Sequence, residues 1–487
     1  MDKGPSRAWL APYVWILSAF AVSRILYYAA GVRFQTNLIR SNFQFIDVDL
    51  MKHRLVESLF YYHMYPPLHN LIVGVLVKAF PSEYGAALHA LYIAVGAVSA
   101  VLLYQLMRCL NVPVRLACVL TILFVTSPGC VLFENYPMYE YLILVLLLAQ
   151  CVVLYRLLER PVFRTAFLFF SLLAALSLVR AFYHLYYLIA VAAALAFFLR
   201  GHARIIAAAS AIPLLIVFAL YAKNLAVFGF FGGSSWLGNN LPTVTTHNLS
   251  AEECKSLVRS GKLDPFGCVE GSMPPSTYLP YVPALKATGI PVLDQEVKST
   301  GGGNFNHQVY LKTGPMFLRT AKQVIRYYPA AYLRSVAIAW FCYFRPASDF
   351  FQFEENRTPI RAFDRAYNLV IFGQWREAPG TELRALRASG GSLSLLLYTG
   401  IFLIVALPCI LAATAYLWIR DWRKTSASFE RQGLLAFIVV QIVLVALISN
   451  FLSSFENNRY RFPTDPLYLA LFAVLLTRML ARWRASP

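Results

Sequence analysis

Long apolar runs constrain the fold of this chain more than any other feature. Runs of 18 or more apolar residues recur along its 487 residues, of which 59% are hydrophobic and only 14% are charged. A helix of this length matches the thickness of a bilayer core. Because lipid offers the backbone no hydrogen-bonding partner, apolar runs predict helices. The sequence therefore predicts an all-α polytopic membrane protein with about 10–11 transmembrane helices.

We expect ten crossings, and residues 66–80 are too short for a full span, so they predict a re-entrant or juxtamembrane helix. The ten predicted spans are residues 9–31, 86–107, 115–133, 138–155, 165–180, 182–199, 204–223, 393–418, 433–452 and 466–480.

The formal net charge of +19 predicts the orientation of these spans. Basic residues cluster in the short turns between spans, as Arg108 and Arg115 do, and such turns face the cytoplasm. The charge is therefore explained by topology and by contact with anionic membrane lipids, and we expect no nucleic-acid partner. The first span is expected to be retained, with a cytoplasmic N-terminus.

This topology places four regions outside the cytoplasm: residues 32–65, 134–137, 224–392 and 450–466. The chain is expected to divide into an N-terminal transmembrane module (1–223) with a first outer loop at 32–65, a large extracytoplasmic subdomain (224–392), and C-terminal transmembrane helices (393–487). Cys254 and Cys268 lie in the subdomain, where an oxidising compartment would allow a disulfide.

An acidic pair, Asp47-Val-Asp49, follows the first span and has two interpretations. Asp47 is a suitable N-cap for the helical pattern after it, with Asp49 in the favoured first turn. Alternatively, one carboxylate beside the bilayer acts as the general base of a transfer reaction. Residues two apart on a helix point in nearly opposite directions, so at most one of the two would face a site on a helix. A divalent cation, Mg or Mn, is a further ligand that the pair could hold.

The pair is followed by Pro66-Pro67, which predicts a fixed helix start, because proline suits the first turn. His63 and His69 flank the prolines at the outer rim. Each is either an interfacial side chain or a substrate contact.

Basic side chains at the outer level are candidates for binding a phosphate, because the arginine fork fits phosphate oxygens. Arg180 interrupts the apolar run between two spans, and His184 is expected on the same helical face, four residues on. Glu456, Arg459 and Arg461 form a second cluster, which is unusual in an outer turn. The alternative for the arginines is simple anchoring at the interface. Glu134, at the end of a span, is either a terminal residue or a carboxylate facing the acidic pair.

With these features the chain resembles the GT-C superfamily of polyprenyl-phosphate-dependent glycosyltransferases, which includes protein O-mannosyltransferases and the lipid A aminoarabinose transferase. The resemblance rests on the outer acidic motif, the Pro-Pro helix start, the acidic turn and the arginine-rich turn before the last span: Asp47, Asp49, Pro66, Pro67, Glu134, Arg459 and Arg461. The long outer loop is also similar. Asp-Val-Asp differs from the adjacent Asp-Glu of the O-mannosyltransferases, which leaves the identity of the base and the need for a metal open.

The resemblance implies a membrane glycosyltransferase that moves a sugar from a polyprenyl-phosphate donor to a glycan, lipid or protein acceptor with inversion. One Asp would be the base, and arginines would stabilise the leaving phosphate. Trp236 and Asn239 would then belong to a loop that lines the substrate. The implied location is a cell membrane, preferably the bacterial inner membrane, with the active site on the extracytoplasmic side. Two alternatives are a multispan ligase of lipid-linked glycans and a transporter or flippase.

Overall fold

The computed structural model describes residues 10–377, 393–422 and 428–485, and they are predominantly helical. The described residues contain no β-strand, only an isolated bridge between Val297 and Gly303. The helices used below are α1 (Ala11–Ala29), α2 (Leu68–Ala79), α3 (Tyr84–Cys109), α4 (Val114–Val125), α5 (Pro128–Glu134), α6 (Glu140–Glu159), α7 (Phe163–Val179), α8 (Leu185–Phe198), α9 (Ala203–Phe228), α10 (Val309–Tyr327), α11 (Pro329–Tyr343), α12 (Ile401–Trp422), α13 (Phe429–Leu452) and α14 (Asp465–Ala485).

Shorter helices connect these elements, mainly at one end of the bundle. Their bounds are Asn37–Ser41, Val48–His53, Leu55–Phe60, Leu237–Asn240, Ala251–Arg259, Pro275–Tyr278, Pro291–Asp294, Glu354–Arg357, Arg361–Tyr367 and Asn457–Arg461.

The all-α membrane class predicted from the apolar runs is confirmed. Within the described ranges, six helical segments are long and apolar enough to cross a membrane: Tyr84–Cys109, Glu140–Glu159, Arg200–Phe228, Ile401–Trp422, Phe429–Leu452 and Asn457–Trp483. The three shorter apolar helices are α2, α7 and α8. The number of crossings beyond six stays a prediction, because it depends on α1 and on these shorter helices.

The predicted span 115–133 is bent, and its two helices together are long and apolar enough for one broken span or a re-entrant loop. The chain forms α4 and α5, which meet at an angle of 57°. Ser127 caps the second helix, since its hydroxyl accepts a hydrogen bond from the backbone N–H of Cys130 (3.3 Å), and Pro128 occupies the first helical turn. Proline has no N–H to continue α4, so the chain turns here.

The helix after Pro66-Pro67 forms as predicted. Pro67 is the N-cap of α2, which ends twelve residues later at Ala79. At 1.5 Å per residue this helix is roughly 18 Å long, well short of a bilayer core of about 30 Å. Its length therefore agrees with the predicted re-entrant or juxtamembrane position.

Helix α6 is the centre of the bundle and is largely buried. It packs against α3, α7 and α13, while α9 covers α7, and α14 lies against α3, α4 and α12. Its first residue, Glu140, is thereby held inside the protein at one end of the bundle.

The four regions predicted to lie outside the cytoplasm meet at that end. The backbone N–H of Gln35 donates to the carbonyl of Asn135 (3.0 Å), His63 is bonded to Asn306, and Ser454 donates to the carbonyl of Thr243 (2.7 Å). The arginine-bearing turns contact each other at the opposite end, where Arg478 pairs with Asp421 at 2.6 Å.

Helix α9 continues to Phe228, four residues past the predicted start of the outer region, and ends at Gly229, whose φ of +79° favours glycine. Cys254 and Cys268 form a disulfide within this region. The later part of this region forms α10 and α11. Residues 378–392, the end of the predicted subdomain, lie outside the described residues.

Candidate active site

A buried ionic cluster lies where α6 begins, at the end of the bundle formed by the outer regions. Arg459 is only 2% exposed and donates from Nε to Oε1 of Glu140 (2.5 Å) and from Nη1 to Oε2 of Glu456 (2.8 Å). Its Nη2 donates to the hydroxyl of Tyr139 (3.2 Å). The second oxygen of Glu140 is buried and has no hydrogen-bond partner in the described part of the chain. Glu140 was not predicted from the sequence, where it appears only as a polar residue near the start of the span 138–155.

Arg180 lies beside this cluster and shares the wall of a small cavity with Glu140, without pairing directly with that carboxylate. It is 7% exposed, and none of the described carboxylates forms a salt bridge with it. Its Nη1 donates to the hydroxyl of Tyr139. The guanidinium lies over the rings of Tyr139, Phe182 and Tyr460, at 4.8, 4.3 and 4.8 Å from their centroids. Aromatic faces stabilise a cation only in part, so this guanidinium is suited to an anion.

A cavity of about 20 Å³ borders Arg180, Glu140 and Tyr460. A groove of about 260 Å³ lies on the other side of Tyr460. Aromatic and polar side chains line the groove, together with the carboxylate of Glu456: Phe43, Gln44, Tyr65, Trp236, Asn240, Thr243, His247, Ser272, Phe351, Ser453, Ser454, Phe455, Glu456 and Tyr460. Tyr460 therefore separates the groove from the cavity beside Arg180.

Gln44 is held firmly at the wall of the groove. Its carbonyl oxygen accepts from the hydroxyl of Tyr62 (2.8 Å) and from Nδ2 of Asn70 (3.0 Å), and its N–H donates to Oδ1 of Asn42 (2.9 Å). Its side-chain oxygen lies 3.4 Å from Nη2 of Arg459. Sequence reasoning missed Gln44, because nothing in Phe43-Gln44-Phe45 distinguishes it except its position just before the acidic pair.

Asp47 takes the N-cap position that the sequence offered as one interpretation. Its carboxylate accepts from the N–H of Asp49 (3.1 Å) and from both the N–H (2.6 Å) and the hydroxyl (2.5 Å) of Ser299. It therefore fastens the loop that carries Ser299 to the first outer region. Burial lowers the pKa of neighbouring Lys298 to about 8, although Asp47 opposes this shift.

Asp49 lies in the first turn of the helix Val48–His53, whereas Asp47 precedes that helix in non-helical backbone and is buried. The Asp49 side chain is 62% exposed and lies 3.6 Å from Nε2 of His53. Neither Asp47 nor Asp49 lines the groove or the cavity beside Arg180. The structure thus brings Arg180, Arg459 and Glu456 together and leaves the acidic pair outside that cluster.

Glu134 binds Arg24 of α1 rather than facing the acidic pair. The two side chains form two parallel hydrogen bonds, of 2.9 and 2.8 Å, and Tyr141 donates to the same carboxylate (2.9 Å). Glu134 is fully buried, and Gly96 of α3 makes room for it. This arrangement connects α1 to the α4–α5 bend.

The two rim histidines are buried. His63 is bonded through Nδ1 to the hydroxyl of Ser235 (2.7 Å) and through Nε2 to the carbonyl of Asn306 (2.9 Å). Burial lowers the pKa of His63 to about 3. His69 packs edge-on against Tyr139, with ring centroids 5.6 Å apart, so it supports the cluster from behind.

The predicted shared helical face of Arg180 and His184 is wrong. Helix α7 ends at Val179, Arg180 is extended (φ −139°, ψ 125°), and His184 is the N-cap of α8. The segment from Arg180 to His184 is a turn between the two helices. The four-residue spacing therefore places the two side chains on no common helical face. His184 instead packs on Tyr186 and Tyr221.

The other candidates divide between the groove and its support. Trp236 lines the groove and contacts Phe43, Tyr65 and Tyr310. Asn239 lies behind it and connects to α10, accepting from the hydroxyl of Thr313 (2.9 Å). Arg461 points away from Arg459: it pairs with Asp465 (2.8 Å) and donates to the carbonyl of Tyr343.

The described side chains provide no group of three or more His, Cys, Asp or Glu that could hold a metal ion. The oxygens of Asp47 are already hydrogen-bonded to Ser299 and Asp49. Because these residues do not fit a Mg or Mn site, no catalytic step is assigned to a metal here.

No protein-family model and no curated protein matches the chain. Among solved structures, the chain is similar to the Archaeoglobus fulgidus oligosaccharyltransferase in the apo form, with 13% sequence identity and a TM-score of 0.38. The match covers 97% of this chain and 51% of that chain, so this chain spans about half the length of the solved one. A likeness this low carries no argument about activity.

Proposed function

We propose that this chain is an integral membrane glycosyltransferase of the GT-C type, which transfers a sugar from a polyprenyl-phosphate donor to an acceptor in the groove. The observation that carries the proposal is Arg180, a buried guanidinium with no carboxylate partner in the described residues, next to an aromatic groove. A lipid phosphate would supply the missing anion. The resemblance of the outer motifs to that superfamily supports the same activity.

The donor phosphate binds between Arg180 and Arg459. Both guanidiniums contact the hydroxyl of Tyr139, which keeps them near each other. The cavity beside Arg180, about 20 Å³, has room for about one water. A phosphate therefore requires Tyr460 to turn, which joins this cavity to the groove. The two arginines then stabilise the charge that develops on the leaving phosphate.

The groove binds the sugar. Its walls combine aromatic rings, such as Trp236 and Tyr65, with neutral hydrogen-bonding groups, such as Gln44 and Asn240. A pyranose has both an apolar face and several hydroxyls, so it suits such walls. Gln44 is placed to position the sugar next to Arg459.

The general base is Glu456, the carboxylate that lines the groove, with a side chain 26% exposed. It takes the proton of the acceptor hydroxyl as the acceptor oxygen bonds to the anomeric carbon. The bond from that carbon to the phosphate oxygen breaks on the opposite face, so the configuration inverts. The competing assignment is that the base is Asp47 or Asp49, as expected from the sequence. With Glu456 as the base, Asp47 has a structural role and holds the loop of Ser299.

The groove end faces away from the cytoplasm, because the arginine-rich turns lie at the other end of the bundle. Prenyl-phosphate sugars presented at that face of a cell membrane, with the bacterial inner membrane preferred, are the proposed donors. The acceptor is a glycan, a lipid or a protein with a free hydroxyl.

The test is transfer from radiolabelled prenyl-phosphate sugars by the full chain in lipid nanodiscs. Arg180→Gln is expected to lower kcat/KM by about 10²-fold or more, the loss typical of one group that stabilises developing charge. Arg164→Gln, which removes an exposed arginine at the other end of the bundle, is the matched control and should leave the rate unchanged. An assay with added EDTA tests the need for Mg or Mn.

If wild type transfers no sugar from any prenyl-phosphate donor, the proposal fails. Transfer of a glycan from a prenyl-pyrophosphate carrier would then support the ligase. Movement of the lipid across the bilayer without any covalent product would support the transporter.

A further inference from the structure

A second cavity lies at the opposite end of the bundle, between the turn after α3 and the facing ends of α12, α13 and α14. Its volume is about 350 Å³. Its walls are polar on one part and apolar on another: Leu110, Asn111, Asp421, Ser428, Arg431, Gln432, Leu435, Val474, Thr477 and Arg478. The proposed transferase site uses none of these residues.

Arg431 carries the main charge of this cavity. The amide oxygen of Asn111, turned toward Arg431, accepts from its Nη1 and Nη2 at 2.8 and 2.9 Å. Its Nε is buried and has no hydrogen-bond partner among the described residues. No carboxylate of the described residues forms a salt bridge with it. The partner of this guanidinium is thus a neutral amide, which does not compensate its charge.

The carboxylates nearby are already engaged. Asp421 accepts from Arg420 (3.0 Å) and from Arg478 (2.6 Å), so two arginines already compensate its charge. Glu430 accepts from the hydroxyl of Ser428. The cavity is therefore positive overall, with Arg431 and Arg478 on its walls.

We propose that this cavity binds a phosphate group, with Arg431 as its main ligand. Arginine suits phosphate because its planar fork meets two oxygens at once. The apolar walls of Leu110, Leu435 and Val474 favour a phosphate that carries a hydrocarbon chain, such as an anionic phospholipid, over a free phosphate ester. Nothing in this inference depends on the transferase activity.

The experiment is native mass spectrometry of the full chain in detergent after exchange with phosphatidylglycerol or phosphatidylcholine. Wild type is expected to retain one phosphatidylglycerol per chain. Arg431→Gln is expected to reduce that retention about tenfold or more, because it removes a hydrogen bond between charged groups, and the loss of such a bond weakens affinity by about that factor. Arg431→Lys, which keeps the charge, should retain part of the binding. Arg164→Gln, an equal change of charge at an exposed position of the same end, should have no effect.

Adding glycerol 1-phosphate distinguishes the two sources of phosphate. Failure to displace the lipid supports a lipid site, whereas displacement at equal concentration shows that the headgroup alone is the ligand. Equal retention by wild type and Arg431→Gln, with the same melting temperature, would overturn the proposal. Equal loss in Arg431→Gln and Arg164→Gln would also overturn it, because binding would then follow net charge and not the cavity.

Discussion

Gln44 and Asp47 are both held by contacts between segments that lie far apart in the sequence. Asp47 caps the helix Val48–His53. Its bonds to Ser299 join segments about 250 residues apart. Gln44 gains its position from Tyr62, Asn70 and Arg459, which come together only in the folded chain. Local patterns thus identify caps, whereas the site depends on distant contacts.

His63 is expected to make the folded protein sensitive to acid. Burial lowers its pKa from 6.5 to about 3, so between these values the unfolded chain binds a proton that the folded chain does not. Stability therefore falls as the pH falls through this window, by about 2 kcal/mol from pH 7 to pH 5. The measurement is the melting temperature of the detergent-solubilised protein at both pH values.

The matched variants are His63→Gln and His53→Gln, because His53 is exposed. His63→Gln should melt at a lower temperature at pH 7 but lose less of its stability on acidification than wild type does. Equal losses in wild type and His63→Gln would contradict the assignment.

At the scale of elements, most helices could be predicted, because long apolar runs and proline positions are local signals. Helices α3, α9 and α13 cover the spans expected there, and α6 begins two residues inside its expected span. The break between α4 and α5 also has a local signal, Ser127-Pro128, a cap followed by a proline. It was overlooked because hydropathy continues across it. The turn between α7 and α8 was expected at Arg180, but it extends to His184, so the two residues share no helical face.

The Arg24–Glu134 pair is expected to hold α1 against the α4–α5 bend. Its side chains are 11% and 0% exposed, so Glu134→Gln leaves a buried arginine without its counter-charge. This change should destabilise the protein by about 3 kcal/mol or more. Glu57→Gln, which breaks the exposed pair with Arg54, should cost about 1 kcal/mol at most. Thermal unfolding in detergent compares the two, and equal shifts would show that the buried pair has no special role.

For the whole molecule, the charge pattern predicted which segments would meet. The regions assigned to the outer side lie together at one end, and the arginine-rich turns lie at the other. This agreement arises because connections between membrane helices are short and each span changes sides. The number of spans was harder to predict, because α2, α7 and α8 are apolar yet short.

The orientation of the two ends can be measured directly. Single cysteines are placed at exposed positions, Ala287→Cys at the groove end and Arg164→Cys at the other. A membrane-impermeant maleimide should label Ala287→Cys in intact cells and Arg164→Cys only after permeabilisation. The reverse pattern would place the groove in the cytoplasm and remove the proposed outer-face donors.

The most direct test of the central claim compares Glu456→Gln with Asp47→Asn and Asp49→Asn in the transfer of sugar from a prenyl-phosphate donor. Each change replaces a carboxylate by an amide of the same shape. If the reaction takes place in the groove beside Arg180 and Arg459, Glu456→Gln should lower kcat by about 10²-fold or more while binding of the donor persists. Asp49→Asn should be near wild type, and Asp47→Asn should lose stability before it loses activity. Full activity of Glu456→Gln, together with an inactive but equally stable Asp47→Asn, would contradict this account and place the base in the acidic pair.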